Sequence, residues 1–180
     1  NRLTIRHLRL PGCTDILLAV SHFPSKLYWG DDSQALECVA LANTIRLTEN
    51  RSGHTRTVLV GDFNMNPFET GVVSAMGLHA VMSKQIANRK SRIVQSQDYP
   101  FFYNPMWGHF CDIKQHPPGT YYFSSAEHKT FFWNVFDQVL IRPDLISRFN
   151  EDELDIIHSD GQESLLLPEG FPDTRTGSDH

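Results

Sequence analysis

The sequence predicts an α/β protein, because a strand, a helix and a second strand follow one another between residues 15 and 60. The first strand is expected over 15–21, where residues 16–20 are continuously apolar, and the second over 57–60, which is β-branched and aliphatic. Both patterns are typical of strands that are covered on both faces. Residues 34–50 between them are rich in helix formers until Gly53 ends the helix. This order predicts a β-α-β unit whose two strands run parallel.

Shorter elements surround this unit, and none of them repeats, so we expect one domain over residues 1–180. The candidate caps of the long helix are Asp31, Asp32 and Ser33. The other predicted elements are a strand over 3–10, a short helix from the cap Asn66 to Gly77, a long strand over 131–141, a short helix over 143–149, and weaker strands over 153–157 and 163–167.

Composition indicates a soluble globular protein. The chain of 180 residues is 40% hydrophobic and 21% charged, as expected for a domain with one sizeable core. A net charge of −5 argues against a globally basic surface for nucleic acid, although a local basic patch is compatible with it. No apolar run approaches the roughly 20 residues of a membrane span.

The three cysteines bear on the compartment and on metal binding. Cys13, Cys38 and Cys111 are odd in number and widely spaced, which argues against a disulfide framework and favours a reducing, cytoplasmic location. His109, Cys111 and His116 are residue types that bind zinc. Their spacing lacks a paired Cys-x-x-Cys or a second half-site, so zinc is not the favoured interpretation.

The most informative stretch is Gly61-Asp62-Phe63-Asn64, directly after the strand over 57–60. In extended backbone, residues two apart point the same way, so Asp62 and Asn64 should face one pocket while Phe63 turns into the core. A carboxylate and an amide at the carboxyl end of a strand suit a water or a phosphate oxygen. The same residue types also suit an ordinary turn that ends a strand, and these four residues alone leave both interpretations open.

Three further polar groups are candidates for the same pocket. His22 follows the strand over 15–21, at the end of the sheet where α/β sites form, although a lone His there also suits a surface position. Asp137 interrupts the apolar, aromatic strand over 131–141, where a carboxylate needs a nearby donor. The segment Ser178-Asp179-His180 offers an anionic metal ligand and a base that titrates near neutral pH.

Two other clusters have two interpretations each. The basic residues Lys84, Arg89, Lys90 and Arg92 could contact phosphates, but a solvated face explains them as well and is preferred. Aromatic residues over 99–107 and 120–123 could stack on bases, but strands packed under loops would look the same, and we favour the core interpretation.

Taken together, Gly61-Asp62-Phe63-Asn64, Asp137 and Ser178-Asp179-His180 resemble, in this order, the endonuclease/exonuclease/phosphatase superfamily, which includes deoxyribonucleases, apurinic-site endonucleases, inositol-polyphosphate phosphatases and sphingomyelinases. His22 matches the phosphate-facing His, or its equivalent, that the family carries on the preceding strand. The resemblance implies a four-layer α/β sandwich of two stacked mixed β-sheets flanked by helices.

The chain resembles the carboxyl-terminal portion of that domain. The family's amino-terminal strands carry an Asn and a metal-binding Glu, and no strand-borne Glu precedes His22, since Glu37 lies on the predicted helix. We therefore expect 1–180 to be one domain without its amino-terminal strands. A longer chain or another chain would supply them, and the former is simpler.

The resemblance also implies roles for the residues near the metal. Asp179 would hold Mg²⁺ or Mn²⁺ beside the Glu that is not found here, and Asp62 could contribute to a second ion. Asp62 would align the attacking water. His180, oriented by Asp137, would act as a base or contact the phosphate. Because water attacks directly, no covalent enzyme intermediate is expected.

On the substrate side, the resemblance implies that Asn64 donates to a non-bridging phosphate oxygen and that His22 binds the phosphate or assists the leaving group. The expected function is a metal-dependent phosphoesterase that hydrolyses a phosphodiester, with a nuclease or related phosphodiesterase as the first candidate and nucleic acid as a candidate partner. A phosphomonoesterase acting on a small molecule or lipid headgroup is one alternative. A non-catalytic binding module that keeps the fold is the other.

Overall fold

A six-stranded mixed β-sheet forms the centre of the molecule, described by a computed structural model over residues 2–9, 11–112, 117–175 and 177–180. The strands of the molecule are β1 (Leu3–Leu8), β2 (Ile16–His22), β3 (Thr57–Asp62), β4 (Ala80–Val81), β5 (Ser91–Val94), β6 (Gln97–Pro100), β7 (Phe102–Tyr103), β8 (Tyr121–Tyr122), β9 (Trp133–Asn134) and β10 (Asp137–Ile141). The central sheet has the order β1-β2-β3-β10-β7-β4, and β5-β6 and β8-β9 form two-stranded sheets. Within the central sheet β2/β3 and β4/β7 are parallel and the other pairs are antiparallel.

The helices are few, and one of them is long. They are α1 (Asp31–Ser52), α2 (Thr70–Val73), α3 (Lys84–Ala87) and α4 (Pro143–Ile146), with 3₁₀ turns at Pro105–His109 and Glu151–Glu153. The α1 helix connects β2 to the parallel β3, so the predicted β-α-β unit and the mixed α/β class are confirmed. Gly53 ends α1 in a left-handed conformation with φ 71°, which glycine adopts without steric cost. No helix among the described residues is long and apolar enough to cross a membrane.

One face of the sheet is packed against α1. Cys38 and Ile45 on the helix are completely buried against Ala19 of β2 and Leu59 of β3, and Phe63 joins the same cluster just beyond β3. Burying a large aliphatic or aromatic side chain contributes roughly 1.5–3 kcal/mol to folding. This contact therefore fixes β2 and β3 as the central pair.

The opposite face of the sheet is apolar but incompletely covered. Side chains alternate along each strand, so Val20 of β2, Val60 of β3 and Val139 of β10 point away from α1. Val20 is 44% exposed, and the other two are half-buried. A cavity of about 470 Å³ lies over Val60 and Val139, with Ile156 and Ile157 on its other side.

A buried ion pair joins α1 to the far end of the sheet. The Arg142 guanidinium, directly after β10, donates to both carboxylate oxygens of Glu49 on α1, at 2.8 and 3.1 Å, and both side chains are almost fully buried. The Thr57 hydroxyl, at the start of β3, donates to the same carboxylate at 2.6 Å. Arg142 also donates to the carbonyls of Pro100 and Phe101. Each guanidinium nitrogen and both carboxylate oxygens thus have a partner, which a buried charge pair requires.

The predicted strand over 131–141 is wrong as a single element. It is broken into β9 and β10, which belong to different sheets, and Phe132 has φ 58°, outside the extended region. Asp137 consequently begins a strand instead of interrupting one, and its side chain is 43% exposed. The apolar, aromatic composition concealed the break, because the residues before Asp137 include only one of the usual turn residues, Asn134.

Other boundaries also differ from prediction. The helix expected from Asn66 begins at Thr70, because the Glu69 carboxylate accepts from the Asn66 backbone and closes a turn first. Neither 153–157 nor 163–167 forms a ladder, and the bridges Ser159↔Ser164 and Leu166↔Pro172 are isolated. The first strand ends at Leu8, and Leu10 lies outside the described residues.

We expect Glu49→Ala to lower the free energy of unfolding by about 3–5 kcal/mol, because it leaves the buried Arg142 charge without its counter-ion. Urea denaturation followed by far-ultraviolet circular dichroism measures this change. Glu37→Ala on the same helix, where the side chain is only half-buried, is the matched control and should cost about 0.5 kcal/mol or less. Equal losses for the two variants would contradict a structural role for the ion pair.

Candidate active site

The register of three neighbouring strands brings polar side chains together at one end of the sheet. Asp62, the last residue of β3, lies opposite His22 of β2 on one side and Asp137 of β10 on the other. Directly opposed residues place their side chains on the same face of a sheet. These three side chains lie on the incompletely covered face of the sheet. The His22 Nε2 lies 3.5 Å from the Asp62 Oδ2.

Gly61 allows the strands to approach this closely. Its φ is 145°, and a Cβ at this position would lie 1.7 Å from the carbonyl oxygen of Ser21 on β2. Every other residue type carries that Cβ, so glycine is required for this approach. The position directly precedes Asp62, and the glycine therefore contributes to the placement of the carboxylate beside His22.

Asp62 is held by Asn64 through a local turn. The Asn64 backbone N–H donates to Asp62 Oδ1 at 2.8 Å, and its amide Nδ2 donates to Asp62 Oδ2 at 2.7 Å. Asn64 is in the left-handed region with φ 50°, so the two side chains meet through a turn and not through the extended backbone that the sequence predicted. Phe63 is fully buried, as expected.

The second hydrogen of the Asn64 amide is also donated, to the carbonyl of Phe23 at 3.0 Å. An amide nitrogen has two hydrogens, and both are therefore used inside the protein. In this arrangement Asn64 orients the Asp62 carboxylate. The predicted donation to a phosphate oxygen would require one of these two bonds to be released.

Asp137 and His180 form a hydrogen-bonded pair beside Asp62. The His180 Nδ1 lies 2.7 Å from Asp137 Oδ2, and because an ionised carboxylate only accepts, Nδ1 carries the hydrogen. Nε2 is then the ring nitrogen that can exchange a proton with a ligand. The Tyr121 ring lies 4.9 Å from the imidazole, between centroids, and limits its rotation.

The electrostatics of the site favour a cation. Ligand atoms of Asp62, Asp137 and His180 all lie within 4.8 Å of one another. Burial raises the pKa of Asp62, and the negative charge of Asp137 raises it further, against the Asn64 hydrogen bond and the His180 charge, which lower it. The hydrogen bond to Asp137 raises the pKa of His180, although burial lowers it. Two carboxylates this close fit a hard divalent cation, which prefers oxygen ligands.

The remaining predicted residue, Asp179, lies outside this group of three. Its side chain is exposed and its Oδ1 lies 3.5 Å from the Ser178 hydroxyl. Its charge nevertheless raises the pKa of both His180 and Tyr121, which places it within electrostatic reach of the site. The structure thus gathers Asp62, Asn64, Asp137 and His180, with His22 at the edge of the cluster and Asp179 nearby.

Two residues that support the site were not found from the sequence. The Thr120 hydroxyl accepts from the backbone N–H of Asp137 at 3.0 Å, and the Tyr121 ring lies against His180 in a tilted arrangement. Asn66, expected to be a helix cap, instead accepts from the Val135 backbone and ties the turn after β3 to the segment before β10. These contacts join residues 17 to 69 positions apart, and no local sequence pattern indicates them.

The structure distinguishes between the two interpretations of the aromatic and basic clusters. The aromatic core interpretation holds for Phe101, Phe102 and Tyr103, which are buried. Among the basic residues, Lys84 pairs with Glu151 and Lys90 with Asp144, whereas Arg89 and Arg92 line a cavity described below. For zinc, His109 is buried and Cys111 half-buried, but His116 lies outside the described residues. Cys13, Cys38 and Cys111 are free thiols.

Comparison with known proteins does not place the chain in a family. No protein-family model, no curated protein and no solved structure matches it. The geometry of the site is therefore the basis for a functional proposal.

We expect Asp137→Asn to lower the pKa of His180, because the carboxylate hydrogen bond is the main cause that raises it above its ordinary value of 6.5. A pH titration of the imidazole signals by NMR measures this. The protonated His180 stabilises the fold fully below about pH 6.5, and this contribution is lost as the pH rises through the raised pKa. Asp155→Asn, at an exposed residue lining the cavity next to His180, is the control and should leave the titration unchanged. A His180 titration that is the same in Asp137→Asn as in the wild type would refute the pairing.

Proposed function

We propose that the protein is a metal-dependent phosphoesterase that hydrolyses a phosphodiester by direct attack of water, of the endonuclease/exonuclease/phosphatase type. The observation that carries the proposal is Asp62 placed beside the Asp137–His180 pair at the ends of β3 and β10. A carboxylate next to an oriented imidazole can hold a water and take up its proton. A serine nucleophile at a strand-to-helix elbow, as in acyl transfer, is not needed for this chemistry.

Each side chain has a role in the proposed reaction. Asp62, fixed at both oxygens by Asn64, aligns the attacking water. His180 takes a proton or contacts the phosphate through Nε2, and Asp137 stabilises the charged imidazole. His22, whose side chain is 79% exposed, is free to approach the phosphate or the leaving group.

The donor set fits Mg²⁺ or Mn²⁺, because two of its three side chains are carboxylates, and burial together with the nearby charge of Asp137 raises the pKa of Asp62. Asp179 would hold the cation, as the family resemblance implies, and Asp62 could contribute to a second ion. When bound, such a cation polarises the phosphoryl group and offsets charge on the leaving oxygen. Asp62 and Asn64 keep their mutual hydrogen bonds while the water is oriented.

The finer fold, a four-layer sandwich with a second stacked sheet, is part of the same proposal. Its support is the incompletely covered face that carries Val20, Val60 and Val139 beneath the candidate site. An apolar sheet face is normally buried against another layer of secondary structure. The resemblance implies that amino-terminal strands would carry a metal-binding Glu to the cation.

A cavity of about 760 Å³ favours a diester over a monoester as the substrate. His22 lines this cavity, which lies on the side of the site away from Asp137. Tyr28 in this cavity is 85% exposed, and the Arg2 guanidinium lies 4.5 Å from the centroid of the Trp29 ring. A monoester has only its leaving group to place in such a space. A diester has a second group that can occupy it, and an aromatic surface suits a nucleobase.

The test is hydrolysis of bis-p-nitrophenyl phosphate by protein produced from its complete gene, with Mg²⁺, with Mn²⁺ and with chelator. We expect activity with either metal, none with chelator, and a loss in kcat of about 10²- to 10⁴-fold in His180→Gln, because the proton acceptor is removed. Asp155→Asn, next to the site but without a role in it, should keep full activity. Turnover that survives chelator or His180→Gln would overturn the proposal, and a folded protein without turnover would point to a binding module.

A further inference from the structure

A second cavity, of about 450 Å³, lies apart from the candidate active site. It is bounded by residues between α2 and the 3₁₀ turn at Pro105–His109, including His79, Arg89, Arg92 and Trp107. It shares no lining residue with the cavity that contains Asp137 and His180. Its volume is within the roughly 300–1,000 Å³ of small-molecule sites.

Two polar atoms of the lining residues are buried without a hydrogen-bond partner. Three such side-chain atoms occur in the part of the chain that the structure describes, and two of them are His79 Nε2 and Trp107 Nε1. Both residues line this cavity. A buried polar group without a partner is costly, so a native protein normally satisfies it with water or a ligand.

The hydrogen-bonding character of the two atoms is opposite. His79 is only 2% exposed, and its Nδ1 lies 3.1 Å from the carbonyl of Tyr99, which can only accept, so Nδ1 carries the hydrogen. Burial and the Arg92 charge lower the pKa of His79, which keeps the ring neutral. Nε2 is therefore an acceptor, whereas the Trp107 indole N–H is a donor.

The lining is also electropositive. Arg89 and Arg92 are the two arginines among the described residues that line the cavity, and none of those residues is an Asp or a Glu. The other members of the basic cluster differ, because Lys84 and Lys90 already have carboxylate partners in Glu151 and Asp144. Guanidinium groups bind phosphate through paired hydrogen bonds.

We propose that this cavity binds a small phosphorylated ligand that carries its own hydroxyl or amino donor. The phosphate contacts Arg89 and Arg92, the donor contacts His79 Nε2, and an oxygen or ring nitrogen accepts from Trp107. A nucleoside monophosphate and a sugar phosphate share this chemistry. The site is independent of the proposed hydrolysis, since it contains neither Asp62 nor His180.

The experiment is isothermal titration calorimetry of the whole protein, in chelator so that no hydrolysis occurs. The probes are adenosine 5′-monophosphate, ribose 5-phosphate, adenosine and inorganic phosphate. We expect one or both of the phosphorylated organic probes to bind at least tenfold more tightly than adenosine and inorganic phosphate. The difference between the first two identifies whether the base or the sugar supplies the donor.

Variants locate the binding in this cavity. We expect Arg92→Gln to weaken it at least tenfold and Trp107→Phe, which keeps a ring but removes the N–H, at least threefold. Lys90→Gln is the matched control, because this lysine belongs to the same cluster but pairs with Asp144 outside the cavity. Thermal denaturation of each variant confirms that it is folded.

Three results would overturn the proposal. In the first, neither phosphorylated probe binds at millimolar concentration. In the second, inorganic phosphate binds as tightly as the organic probes. In the third, Lys90→Gln weakens binding as much as Arg92→Gln. The first indicates a cavity filled by water, and the other two indicate a general basic surface. None of them bears on hydrolysis at Asp62, which is measured separately.

Discussion

The close approach of β2, β3 and β10 at one end of the central sheet is the constraint on which the candidate site depends. Gly61 makes the approach of β2 to β3 possible, because any Cβ at this position would lie against the Ser21 carbonyl at 1.7 Å. One residue later the chain presents Asp62, which the two neighbouring strands flank with His22 and Asp137. A one-residue slip of β10 would turn Asp137 to the opposite face and leave His180 without its carboxylate.

The opposite end of the same strands shows what prevents such a slip. Arg142 follows β10, its backbone N–H donates to the Thr57 carbonyl at 2.9 Å, and its guanidinium is paired with Glu49 of α1. Thr57 begins β3 and donates to the same Glu49 carboxylate. The buried pair thus fixes the starting residue of β3 against the residue that follows β10. Five residues along β3, this alignment places Asp62 opposite Asp137.

The sequence could predict those features that are local or that belong to a recognisable pattern. The β-α-β unit follows from apolar runs around a helix that Gly53 ends, and Asp62 and Asn64 were expected in one pocket from their spacing. The predicted backbone geometry was wrong, because Asn64 reaches Asp62 through a left-handed turn and not through extended backbone. The pairing of Asp137 with His180 was expected from the resemblance alone, since no local pattern joins residues 43 positions apart.

What the sequence could not predict depends on tertiary contacts. Thr120 and Asn66 act on backbone groups that only the folded chain brings near them, and the break before Asp137 is hidden in an aromatic run. Tertiary contacts also distinguish the members of the basic cluster, because Lys84 and Lys90 pair with carboxylates while the arginines line a cavity. The polar chemistry of this protein is thereby distributed over two places, one acidic and suited to a cation, the other basic and suited to an anion.

The proposal that a divalent cation binds beside Asp62 and the Asp137–His180 pair can be tested by paramagnetic broadening of NMR signals with substoichiometric Mn²⁺. We expect the backbone signals of Gly61, Asp62 and Asp137 and the imidazole signals of His180 to broaden first. We also expect Asp62→Asn to abolish this selectivity. Broadening that begins instead at other acidic segments, such as the exposed Asp31 and Asp32, or that is unchanged in Asp62→Asn, would contradict it.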